Sequence, residues 1–250
     1  MGSRTRRLAV PVVVSCGVLG GASPPAFADG GLSVTPAVLE HRAQLGRVGS
    51  FTLNNTTRES LRVTVTVRPW HQQLNGTVIS DPRANLSRYV RATTRSFTLR
   101  AGAKRPVSFR MVRRAPGGSL YAGVEAFGKP TNTKGRKGII PQYRIISSMR
   151  LHPARRSFKL KTGAAQVRGG LLVLPVRNLG NTIEPVSGTY TLSGAGARKG
   201  TIAGVKVIPG KLVGLSLGSA RGLKKGRYTV SASLVQAGQR VSTRTSVTVR

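Results

Sequence analysis

Acid is what this chain lacks most. Six Asp and Glu residues stand against 41 Lys and Arg, a formal charge of +35. The six, Asp29, Glu40, Glu59, Asp81, Glu125 and Glu184, are dispersed along 250 residues. That leaves no paired carboxylates for glycoside hydrolysis. Cysteine is scarcer, with Cys16 alone. If the chain is cut beyond it, disulfides, thiolate metal sites and a cysteine nucleophile are all excluded. His41, His71 and His152 are isolated, without a second ligand at the i+4 spacing of a zinc helix. Gly117-Gly118-Ser119-Leu120-Tyr121 is not a nucleophile elbow and reads as a turn before a strand. No catalytic residue, metal site or cofactor is expected, and the protein is read as a non-enzyme.

Long apolar runs are also missing beyond the N-terminus. The longest, Gly170 to Val176, has the length of a strand, far below the roughly 20 residues of a spanning helix. No transmembrane helix is expected in the mature chain. The N-terminus differs: Arg4, Arg6 and Arg7 precede an apolar stretch from Leu8, and Ala26-Phe27-Ala28 places small residues where a signal peptidase reads. Cleavage after Ala28 is expected, giving a secreted protein associated with the cell envelope, with 38 − 6 = +32 remaining. Lipidation at Cys16, behind Val13-Val14-Ser15, is the second reading.

What is abundant is alternation. In Leu61-Arg-Val-Thr-Val-Thr-Val67 the odd positions form a dry face and the even ones a wet, cationic face. Asn54-Asn55-Thr56-Thr57 marks the turn before it, with Asn54 the candidate for a left-handed position. The order of signals then repeats. Asn54, Gly102-Ala-Lys104 and Gly118 to Tyr121 in the first half correspond to Asn178, Pro209-Gly210-Lys211 and Gly226-Arg-Tyr228 in the second. An insertion is expected over residues 70 to 95 of the first copy. Short strands with frequent turns and no helical period predict an all-β protein of two tandem immunoglobulin-like β-sandwich domains. The expected divisions are a signal peptide at 1–28, a first sandwich at 29–153 and a second at 154–250. The first core is expected to hold Phe51, Leu53, Val63, Val65, Val67, Leu99, Val107, Phe109 and Val124. The second is expected to hold Leu172, Leu174, Val176, Leu192, Leu215, Leu217, Tyr228, Val230 and Leu234.

These residues carry a resemblance. Gly31-Leu-Ser-Val-Thr-Pro36, Asn54 to Thr57, Val63 to Val67 and Gly102-Ala-Lys104 resemble the first Ig-like domain of the Gram-positive WxL-interacting proteins. More distantly, they resemble pilus-chaperone Ig-like domains. Val176-Arg-Asn178, Gly180-Asn181, Pro209-Gly210-Lys211 and Gly226-Arg-Tyr228 are similar to the second Ig-like domain of the former family. The resemblance implies a non-enzymatic envelope protein whose first domain contacts peptidoglycan and whose second binds a surface-protein partner. The chain departs from that family in ending at Arg250 without a membrane helix or basic tail. It departs from the chaperones in lacking a cationic pair that matches their anchor for the subunit carboxylate.

The charge supplies the candidate binding residues: Arg113, Arg114, Lys134, Arg136, Lys137, Arg155, Arg156, Lys224 and Lys225, most of them in turns. Solubility needs fewer cations than these. Arginine forks match phosphate and carboxylate, so an anionic cell-wall polymer or peptidoglycan is the expected partner, with another surface protein as a further one. Chromosomal nucleic acid is excluded by export and by the scarcity of aromatics among the basic pairs. Trp70 reads either as a lid over the core end or as a glycan or partner contact. The function expected first is an envelope scaffold. The alternative is an assembly chaperone for pilus or surface subunits that lends a strand edge.

Overall fold

The computed structural model describes residues 30–250. The expected signal segment and Cys16 lie outside the described residues. Ten strands build the first sandwich: β1 (Leu32–Thr35), β2 (Val38–Arg42), β3 (Gly46–Asn55), β4 (Leu61–Gln72), β5 (Val78–Ser80), β6 (Val90–Ala92), β7 (Ser96–Leu99), β8 (Lys104–Met111), β9 (Leu120–Pro130) and β10 (Tyr143–His152). Eight build the second: β11 (Leu160–Thr162), β12 (Gln166–Arg168), β13 (Leu171–Asn178), β14 (Pro185–Gly194), β15 (Arg198–Lys206), β16 (Leu212–Ser219), β17 (Gly226–Gln236) and β18 (Gln239–Val249). The all-β, two-sandwich architecture is the one the alternation predicts.

In the first sandwich a sheet ordered β1-β3-β8-β6 faces a sheet ordered β2-β10-β9-β4-β5, to which β7 adds beside β4. Alternation along β3, β4 and β8 turns Phe51, Leu53, Val63, Val65, Val67, Val107 and Phe109 inward, all buried. Phe51 and Phe109 meet edge to face, with ring centroids 5.6 Å apart. In the second sandwich β11, β13, β12 and β16 face the sheet β15-β14-β17-β18, around Leu172, Leu174, Val176, Leu215, Leu217, Val230 and Leu234. Every residue expected in either core is buried.

A duplicated asparagine closes one turn in each sandwich. Asn178 Nδ2 donates to the carbonyls of Thr182 (2.6 Å) and Val207 (2.7 Å), and its Oδ1 accepts from Gly180 N. Its counterpart is Asn55, not Asn54. Asn55 Nδ2 donates to the carbonyls of Glu59, Leu99 and Arg100 at 2.7 to 3.0 Å, and its Oδ1 accepts from Thr57 N and Oγ1. The correction follows from the pleat: β3 runs through Asn55, so the side chain that alternates into the core end is the 55th, which is fully buried.

The two sandwiches join through a small apolar cluster of Tyr121, Ile183 and Ile208, with Trp70 packed against it. The β4–β5 hairpin reaches across this junction. Gln72 Nε2 donates to Lys206 O (2.7 Å), Gln72 Oε1 accepts from Ile208 N (2.8 Å), and Leu74 O accepts from Gly214 N (2.7 Å). A Cβ at Gly214 would collide with Val173 on the neighbouring strand β13 and would stand in ordinary contact with Leu74, so the glycine is needed by the second sandwich at the place where the hairpin docks. The segment expected as an insertion, residues 70 to 95, thus includes part of the interdomain joint.

Candidate functional site: an open strand edge beside the interdomain cleft

The site follows from how the first strand divides. The chain pairs with β3 as β1, then crosses at Pro36-Ala37 to the other sheet and runs parallel to β10 as β2. Its register, Val38 opposite Ser148 through Arg42 opposite His152, covers only the second half of β10. On its other side β10 is fully paired, Tyr143 to Leu151 against β9. Among the described residues no strand covers Tyr143–Ser147 on the outer side.

The backbone groups on this open edge can be read from one observed bond. Ser148 N donates to Ala37 O, so Ser148 directs its polar groups outward. By the period of two, Ile146 and Arg144 do the same. Their N–H and C=O groups present a short, unpaired ladder, the template onto which another strand adds. Tyr143 and Ile145 turn inward against the first core, and Ile146 turns to the opposite face, 43% exposed.

On that face lies a cleft of about 540 Å³ between the sandwiches. Trp70, Ile146, Ile183 and Ile208 give it an apolar lining, and Arg144, Arg150 and Lys206 also line it. Trp70 stacks on Tyr121 at 6.4 Å between ring centroids and an interplanar angle of 17°. It therefore belongs to the domain junction and to the cleft wall together. Burial pushes the Tyr121 phenol up to about 12, so it remains a neutral donor, bonding Asn181 O of the second sandwich.

An ion cluster on the same face braces the edge strand, with the Glu125 carboxylate buried and Arg144 half exposed at the cleft. Glu125 on β9 receives Arg68 Nε (2.9 Å) from β4 and Arg144 Nε (2.7 Å) from β10. Arg68 also donates to Pro82 O at 2.8 Å. Burial pushes the Glu125 carboxyl up, but the hydrogen bonds and charges of Arg68 and Arg144 outweigh it, leaving the group below the usual carboxylate range. Arg150 pairs with Glu40 at 2.8 Å, while its Nε is buried without an acceptor.

The nine cations expected to bind polyanions do not share one face. Lys134, Arg136 and Lys137 sit on the β9–β10 loop, at the end of β10 away from the junction, and Arg136 is engaged by Glu59. Lys224 and Lys225 precede β17, whose 11 residues separate them from the junction by about 35 Å at the usual strand rise. Arg156 pairs with Glu184 at 3.2 Å. Arg113 is exposed next to Arg114. Only Arg114 and Arg155 come together, at a cavity by the junction. Charge runs in a sequence show which loops are basic but not which loops meet, so the open edge and its cleft were missed. The one signal that could have found them is Ile146, an apolar residue on the wet side of an alternating strand.

No family model and no curated protein sequence matches the chain. Solved structures do resemble it. A structure titled for a chaperone-tip adhesin complex in CFA/I fimbriae biogenesis superposes with a TM-score of 0.56 at 10% identity, covering 86% of this chain and 98% of that one. The class 5 fimbriae chaperone CfaA superposes at 0.53 with 12% identity and the same coverage. The chain thus has the two-domain fold of these chaperones, the more distant of the two resemblances drawn from the sequence. The resemblance to WxL-interacting proteins gains no support.

These findings overturn the expectation of a scaffold for anionic cell-wall polymer or peptidoglycan. The neighbours are chaperones, one of them described with a tip adhesin, a surface protein. Physically, a polymer-binding face needs its cations side by side, and this fold sends them to opposite ends of the molecule. Among the described residues no helix is long and apolar enough to cross a membrane.

Proposed function

We propose that this protein is an assembly chaperone for pilus or surface subunits, acting by lending the open edge of β10 to a client's unpaired strand. The observation that carries the reading is the five-residue gap, Tyr143–Ser147, left where β2 begins at Val38. An uncovered edge is a liability that a stable domain normally blunts with charge, proline or a covering element. Here it is flanked by the exposed Ile139 and Ile146 and opens beside an apolar cleft. The likeness in fold to fimbrial chaperones supports the same reading. Main-chain bonds would give affinity, and the outward Ile146, exposed beside the apolar cleft, would give register and selectivity.

The reading carries the division expected from the sequence: an export signal at 1–28 and sandwiches at 29–153 and 154–250, with the mature protein acting outside the cytosol. The test is co-expression with the Ig-like surface subunits encoded in the same genome. A one-to-one complex that survives salt of about 1 M, where surface ion pairs are screened, is expected to vanish with Ile146→Pro. A complex that dissolves in salt, or that ignores Ile146→Pro, would overturn the proposal.

A further inference from the structure

A second cavity lies at the junction, past the covered end of β10 and not along its open segment. It measures about 560 Å³ and is lined by Arg42, Arg114, Arg155, Met111, Pro153 and Asn181, among others. The three arginines come from three separate segments: the end of β2, the loop between β8 and β9, and the linker before β11. No carboxylate lines this cavity.

The counter-charge for these three guanidinium groups is missing from the described residues. Glu40 pairs with Arg150, Glu59 with Arg136, Glu125 with Arg68 and Arg144, and Glu184 with Arg156. Asp81 accepts from the Arg83 amide. The four described glutamates are thus paired elsewhere, and Asp81 does not line the cavity. Three like charges around one cavity repel one another, and an external anion relieves that repulsion.

The walls are held in place before any ligand arrives. Asn181 of the second sandwich donates from Nδ2 to Gly117 O (3.1 Å) and Arg155 O (3.0 Å), and its Oδ1 accepts from Ser157 N (2.7 Å). One side chain therefore ties the arginine-bearing loop and linker together. Guanidinium forks match tetrahedral oxyanions. A phosphate group carrying close to two charges neutralises most of three cations, where a single carboxylate neutralises one.

We propose that this cavity, bounded by Arg42, Arg114 and Arg155, is a binding site for a phosphate group, either a soluble phosphate ester or a lipid headgroup. The site is independent of the β10 edge and of the chaperone reading. Because it spans the domain junction, its ligand should also stabilise that junction.

The test uses the full protein in a phosphate-free buffer of low ionic strength. Inorganic phosphate is titrated by calorimetry and followed by melting temperature, with sodium chloride at matched ionic strength as reference. The expected result is saturable binding and a rise in Tm that chloride does not reproduce. Arg42→Ala, Arg114→Ala and Arg155→Ala should each weaken binding about tenfold, while Lys224→Ala with Lys225→Ala, at the far end of β17, should leave it unchanged. A non-saturating response, reproduction by chloride, indifference to all three arginine variants, or an equal loss in the lysine variant overturns the site. Vesicles of phosphatidic acid, whose headgroup is a phosphomonoester, in phosphatidylcholine, against phosphatidylcholine alone, separate the sources. Capture abolished by the same arginine variants assigns a lipid headgroup; phosphate binding without such capture assigns a soluble ester.

Discussion

Asn55 and Asn178 show how far one side chain can organise a turn. Each donates to the carbonyl four residues on (Glu59, Thr182) and accepts from the amide two residues on (Thr57, Gly180). Each then reaches a carbonyl of a distant segment, Leu99 or Val207. Replacing either by alanine leaves buried backbone groups unpaired, so Asn55→Ala and Asn178→Ala should each cost about 3 kcal/mol in urea unfolding. Asn54→Ala should cost almost nothing. Glu125 supports a prediction in pH. Its folded value is lowered, so its contribution is fully present above the unfolded value of about 4.3 and is lost as pH falls through the folded one. Wild type should therefore lose more stability than Glu125→Gln on acidification below about pH 4.3, read as the shift in urea midpoint. The paired tyrosines have diverged: Tyr228 OH bonds Lys224 O within its own turn, while Tyr121 OH reaches Asn181 O in the other sandwich.

β10 is two strands in one from the standpoint of its edge. From Ser148 onward it is covered by β2, and before Ser148 it is open. Proline separates the two sides of the same ribbon. At Ile146 it removes an amide that has no partner, and edge strands tolerate it. At Ile145 it removes a ladder bond to β9 and should cost about 3 kcal/mol. The paired variants, compared by denaturation and by client capture, should dissociate folding from function: Ile145→Pro loses stability, whereas Ile146→Pro stays folded and loses the client. The alternation Tyr143, Ile145, Met149, Leu151 makes this strand legible in the sequence. Its exposed edge is not, because the edge depends on where a segment about a hundred residues earlier changes sheets.

The molecule as a whole behaves as two cores held by a clamp. Gln72 bonds both Lys206 O and Ile208 N, and Gly214 N donates to Leu74 O. Gln72→Ala should uncouple the sandwiches while leaving each core intact. The expected signature is a larger radius of gyration in solution scattering and a single melting transition splitting into two. The charge of +35 belongs to this level too. Spread over loops at opposite ends, it sets solubility and long-range attraction more than any one contact.

Period-two hydrophobicity, repeated turn residues and the scarcity of cysteine and acid were enough to specify two β-sandwiches and their cores. Those properties act over a few neighbouring residues, and any chain with this pattern must bury the same faces. The open edge, the cleft, the clamp at Gln72 and the meeting of Arg42 with Arg114 and Arg155 came from the folded molecule. Each joins segments far apart in the chain, and the distances that govern strand pairing and charge are measured through space.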